Sequence, residues 1–337
     1  MGLSCRRSYR LALLGAALAL SCTHNRSSVP SCPCRLVDSV SVIDAPLVDA
    51  QVTPNGEFVY VTNDWSGALS VVRTSDLQLV ARIPFNNGWG SLGQVVCAPD
   101  GEYVYGTWYR WDRLAVVRTA DQAVVDSLML DDNYMTSEAI SPDGRRLYIG
   151  AGDSPSFVLV VRLPNLAIED TIMLSEEESE ITSMLVAPDG THLYLVSDPY
   201  LFAIRLSDNA VEWRASSSSL LWHNDIAVHP SGNPIYAVQG QHIAVLDVGT
   251  GALIDSIGVP YRTWSLDVSP DGAFLYAAMG YEDGEYDSGV VAVVRTADNT
   301  LVRLVALPTI ACDAAPSPDG QRLYVAAGNG KLYVLGR

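Results

Sequence analysis

S-P-D-G-R-R-L-Y-I, residues 141 to 149, decides the fold of this chain because its opening phrase occurs seven times. The copies begin T-P-N-G at Thr53, A-P-D-G at Ala98, S-P-D-G at Ser141, A-P-D-G at Ala187, H-P-S-G at His229, and S-P-D-G at Ser269 and Ser317. Proline presets the second position of a tight turn, Asp or Asn tolerates the third, and Gly supplies a backbone conformation that other residues resist. An apolar residue and a Tyr follow every copy, so each is a hairpin turn feeding a strand. Pro54, Pro99, Pro142, Pro188, Pro230, Pro270 and Pro318 stand 45, 43, 46, 42, 40 and 48 residues apart. A period of roughly 40 to 45 residues with four short strands per unit is that of propeller blades. The expected fold is all-β: a seven-bladed β-propeller of four-stranded antiparallel blades.

The ends of the array specify how such a ring closes. The seventh copy has room for two strands after its turn, 323–327 and 332–335, and then the chain stops. Residues 36–42, L-V-D-S-V-S-V, match the fourth-strand phrases V-V-D-S-L-M-L from Val124, I-E-D-T-I-M-L from Ile168 and L-I-D-S-I-G-V from Leu253. The first ordered segment is therefore expected to complete the last blade and remove an unpaired edge.

Residues 1–22 read as a targeting signal. Arg6, Arg7 and Arg10 precede an apolar run from Leu11 to Leu20, too short to span a bilayer. The run ends Ala19-Leu20-Ser21-Cys22, which resembles a bacterial lipobox with Cys22 as the acylated N-terminus of the mature chain. Residues 23–34 are short and polar and form a tether, with Cys32 and Cys34 as tether thiols or a local disulfide. Residues 35–337 form the propeller. This organisation implies export from a bacterial cell and a monomer held in the envelope, at the outer membrane, by its N-terminal lipid alone. The first 34 residues hold four arginines and no acid, leaving 17 basic against 38 acidic residues, a balance of −21. Such a surface repels nucleic acid.

Tyr60-Val61-Thr62-Asn63 spells the motif of the YVTN-type seven-bladed propellers, and residues 35–337 resemble that family in its lipoprotein form. The resemblance implies the fold. It implies no single activity, because the family spans surface, periplasmic and enzyme-related members. The Asp that the family carries at the end of the third strand is present as Asp247, whereas Arg73, Arg118, Arg162, Arg205 and Arg295 replace it in five blades. These arginines read as outer-strand charges, some of them opposite fourth-strand acids such as Asp126.

Strand alternation puts the P-D-G turns and the R-T-A-D-type turns on one face and every other connection on the opposite face. Six of the seven tryptophans fall on that second face: Trp65, Trp89, Trp108, Trp111, Trp222 and Trp264. Flat rings beside polar loop groups suit a glycan, a peptide or another envelope protein. Acids share the face, and Asp283, Glu285 and Asp287 alternate as calcium ligands do, although Ser288 and Val294 break the EF-hand pattern. No other cofactor is marked.

Five residues before each turn proline stand Asp49, Gln94, Ser137, Ser183, Asp225, Ser265 and Asp313, all polar. They are expected to ring the channel mouth, with Asp49 and Asp313 among the ligand contacts. The leading reading is a non-catalytic scaffold that binds a partner through its aromatic, acidic loop face. The alternative is a hydrolase or lyase of lactonase-like propeller type, with or without a metal, using His223 as base with Asp225, and Arg262 and Glu138 beside them. A quinone-dependent dehydrogenase is a weaker third.

Overall fold

The computed structural model describes residues 35–43, 45–63, 66–84, 92–108, 113–130, 135–152, 156–174, 180–197, 199–216, 225–280 and 288–336, the side chains of Leu92 and Trp108 excepted. Twenty-eight strands form seven sheets of four, each sheet antiparallel and ordered outward from an inner strand. Blades are numbered 1 to 7 by their P-D-G-type turns. The inner strands are Leu47–Val52, Leu92–Cys97, Met135–Ile140, Ile181–Val186, Ile226–Val228, Arg262–Val268 and Ala311–Pro316. Each inner strand packs on the next, and the seventh packs on the first, so the ring is closed.

The closure is the one anticipated from the sequence ends. Arg35–Ser41 pairs antiparallel with Lys331–Gly336 as the outer strand of blade 7. Val42 N donates to Gly330 O at 2.9 Å, and Arg82 of blade 1 donates through Nη2 to Val42 O. Val42 is buried with Leu47, Val59 and Val61 of blade 1 and Tyr324, Ala326 and Leu332 of blade 7. The Tyr after each turn apolar residue explains the phrase that repeats. Tyr60, Tyr105, Tyr148, Tyr194, Tyr236, Tyr276 and Tyr324 are all at most 3% exposed and fill the gaps between sheets.

The turn face is laced together. Within a blade, the Thr of the second turn reaches the Gly of the first: Thr74 Oγ1 donates to Gly56 O at 2.6 Å and Thr119 Oγ1 to Gly101 O at 2.7 Å. Between blades, the open Cβ positions of Gly56, Gly101, Gly144 and Gly190 lie 3.7, 3.7, 3.5 and 3.7 Å from Cδ of Pro318, Pro54, Pro99 and Pro142. The turn glycines thus provide both a positive φ and a seat for the preceding blade's proline.

Four of the five arginines pair within their own turns and one reaches an outer-strand acid. Arg73, Arg118, Arg205 and Arg295 pair with Asp76, Asp121, Asp208 and Asp298, three residues on in their own turns, and not with the outer-strand acid Asp126. A three-residue reach inside one turn is shorter than a reach across to the outer strand. In blade 3, where Asn165 takes the Asp position, Arg162 does reach the outer-strand Glu169, which Arg146 also contacts at 3.1 Å. All these pairs are exposed and screened by solvent, so each adds little to stability.

Candidate functional site: the channel belt and the loop-side rim

The residues five before each turn proline do come together, as a belt of hydrogen bonds running from blade to blade. Ser183 Oγ of blade 4 donates to Asp225 Oδ1 of blade 5 at 2.7 Å, and Asp225 Oδ2 accepts Leu266 N of blade 6 at 2.8 Å. Ser265 Oγ of blade 6 donates to Asp313 Oδ1 of blade 7, whose Oδ2 accepts Ala50 N of blade 1 at 2.9 Å. Asp49 Oδ2 of blade 1 accepts Val95 N of blade 2 at 2.8 Å, and Ser137 Oγ of blade 3 donates to Gln94 Oε1 of blade 2 at 2.7 Å. Inner strands pack at their neighbours' backbone, so an acceptor here satisfies an amide that no ladder partner reaches.

The belt is strongly acidic. Asp49, Asp225 and Asp313 are half-buried, as is Asp267, two residues beyond Ser265, which accepts its neighbour Val268 N at 2.7 Å. Burial pushes Asp225 up to about 6, with the charge of Asp313 adding to it. Burial and then Asp313 hold Asp267 well above the usual carboxylate range. Asp49 and Asp313 form a coupled pair: burial, then Asp313, then Glu138 raise Asp49 far above its ordinary value, while Asp313, also raised by burial, is held down by Ser265 and by the amides of Ala50 and Ala314. The two carboxyls titrate as a pair, with Asp49 the more strongly raised and Asp313 the better supplied with donors.

Glu138 stands apart from Asp225. It belongs to the set four residues before the turn proline, whose other members are Ala50, Val95, Met184, Ile226, Leu266 and Ala314. It is 5% exposed, in the joint between blades 2 and 3, where Thr107 Oγ1 donates to its Oε2 at 2.6 Å. Burial pushes it up to about 7. Asp225, with both oxygens occupied by Ser183, Ile226 N and Leu266 N, has a different set of neighbours. His223, their proposed base, lies outside the described residues.

On the loop-side rim, Arg262 places its guanidinium 4.7 Å from the centroid of Trp264, a cation–π contact on a half-buried ring. Trp65, Trp89, Trp111 and Trp222 lie outside the described residues, as does the side chain of Trp108, though its backbone ends the second strand of blade 2 on the same side. Asp283, Glu285 and Asp287 also lie outside them, as does Cys22. No three His, Cys, Asp or Glu among the described residues are grouped to hold a metal ion.

The sequence offset that located the belt was informative because every member is polar. The direction of the belt bonds was not legible, since it depends on which neighbouring amide lacks a partner. The exceptional Glu138 was legible in the next column of the same alignment, as one acid among six apolar residues. No protein-family model matches the chain. No curated protein matches its sequence.

Proposed function

We propose that this is a lipid-anchored, non-catalytic propeller that binds an envelope partner, a glycan, a peptide segment or another protein, through its aromatic, acidic loop face. The observation that carries the reading is the contrast between the two faces. On the turn face, polar groups are used internally: threonine hydroxyls on glycine carbonyls, arginines on their own turn aspartates, prolines against glycines. On the loop face, the rim offers Trp264 with Arg262 stacked on it, and the sequence sets five further tryptophans in connections that leave from the same side. Aromatic and guanidinium groups together are the usual anchors of binding surfaces.

In the alternative, hydrolytic reading Asp225 would serve His223 as base, and it already accepts from Ser183, Ile226 N and Leu266 N. The test is retention of envelope components, or of arrayed glycans and peptides, on immobilised propeller. Trp89→Ala with Trp111→Ala, and Trp264→Ala alone, should abolish retention while the thermal transition stays intact. Unchanged retention by both variants contradicts the reading.

A further inference from the structure

Glu138 is the one acid in a column that is otherwise apolar around the ring. Its side chain points into the joint between blades 2 and 3, where Thr107 satisfies Oε2 and Oε1 has no hydrogen-bond partner among the described residues. Gly93, on the inner strand of blade 2, packs tightly beneath: a Cβ there would stand 3.1 Å from Thr107 Oγ1. The joint is therefore closed around a carboxyl with one oxygen unserved. Thr107 alone serves the carboxyl, through its hydroxyl and its backbone amide; a neutral carboxyl tolerates that position, but a carboxylate taken out of water needs donors on both oxygens or a cation.

The strands packed on Met135–Ile140 supply no cation at that point. The inner strand of blade 2 carries Cys97, whose thiol burial pushes up to about 12. The second strand of blade 2 carries Tyr103 and Tyr105, and burial holds Tyr105 up to about 12. The second strand of blade 3 begins with Arg146, whose guanidinium is engaged with Glu169, and also holds Tyr148. The inner strand of blade 4, Ile181–Val186, has no ionisable group. The charge of Glu138 is felt by another acid, Asp49 of blade 1, which Glu138 drives further upward.

We propose that Glu138 makes the joint between blades 2 and 3 a proton-sensitive joint, closed while the carboxyl is neutral and loosened when it ionises. Glu138 rises from its ordinary 4.5 to about 7. A carboxyl raised in the folded state contributes stability that is fully present below about 4.5 and is lost as pH rises through about 7. The second strand of blade 2 leads directly into residues 109–112, and 131–134 lead into the inner strand of blade 3. The joint thus sits at the root of two loop-face connections.

The experiment follows the full chain between pH 5 and pH 9, comparing wild type with Glu138→Gln and Glu138→Met, the latter copying Met184 of blade 4. Thermal midpoints and hydrogen exchange of the blade 2 and 3 amides are measured on each. The wild-type midpoint should fall relative to both variants as pH crosses about 7. Exchange in 103–108 and 135–140, corrected for intrinsic rate, should quicken over the same interval in wild type and in neither variant, while 274–280 of blade 6 keeps its protection. Should Glu138→Met fail to fold, Glu138→Gln still decides the matter. If Glu138 serves only to accept from Thr107, the Gln variant retains that bond and its pH curve runs parallel to wild type, which would overturn the proposal. Uniform loss of protection in all blades would overturn it as well, by assigning the effect to the ring as a whole.

Discussion

At the scale of single residues, the channel belt shows that identical side chains can have opposite tasks. Asp313 receives Ser265 Oγ and the amides of Ala50 and Ala314, so its charge is well served. Asp49 receives Val95 N alone among amides and is raised further than Asp313. Asparagine at position 49 keeps the acceptor for Val95 and adds a donor facing Asp313, whereas asparagine at position 313 brings a donor to a site that already faces three. Asp49→Asn should thus leave stability within about 1 kcal/mol of wild type, whereas Asp313→Asn should cost about 1–3 kcal/mol. Urea unfolding at pH 7 distinguishes the two, and equal costs would contradict the unequal donor supply of the pair.

At the scale of the element, the decisive piece is the strand Arg35–Ser41. Its side chains are largely exposed, and Leu36 and Val37 are 40% and 45% exposed. Its contribution lies in its backbone pairing with blade 7 and in Val42, which is buried where blades 7 and 1 meet. Removing residues 35–43 leaves Lys331–Gly336 as an open edge and should abolish the cooperative thermal transition, while removing 23–34 should not alter it. Gly330, at a φ of 75°, takes the closing bond from Val42, and a Cβ there would stand 1.8 Å from Ile43 O. Gly330→Ala should therefore destabilise by about 3 kcal/mol or more, combining left-handed strain with a backbone clash. This closure was readable from residues 36–42 because they repeat an outer-strand phrase. An outer-strand acid is the partner of Arg162, which reaches Glu169, while the turn aspartates that hold the other four arginines were legible only in the three-residue spacing, as of Arg73 and Asp76.

At the scale of the whole molecule, the balance of carboxyls sets the response to pH. Glu138, Asp225, Asp267 and the Asp49–Asp313 pair are all raised, chiefly by burial. Their stabilisation is present at mildly acidic pH and is lost as pH rises through about 6 and about 7, the values reached by Asp225 and Glu138. The exposed turn acids run the other way: Asp76, Asp121 and Asp298 are lowered, first by bonds from their arginines, and their small contributions are lost as pH falls below about 4. The thermal midpoint should accordingly peak at roughly pH 5 and decline toward pH 8; a midpoint that rises across that interval contradicts the burial of these acids.

The repeat made the ring and its two faces legible at this scale, because a turn phrase that recurs every 40 to 48 residues fixes strand direction in every blade. The partner was not legible, since the proposed recognition surface consists of connections that do not repeat. The central claim is that one face holds the ring together and the other binds. It is tested most directly by measuring retention of envelope components on two immobilised variants, Arg73→Ala with Asp76→Ala on the turn face and Trp89→Ala with Trp111→Ala on the loop face. Retention should survive the first and vanish with the second; loss with the turn-face pair and survival with the loop-face pair would contradict the account.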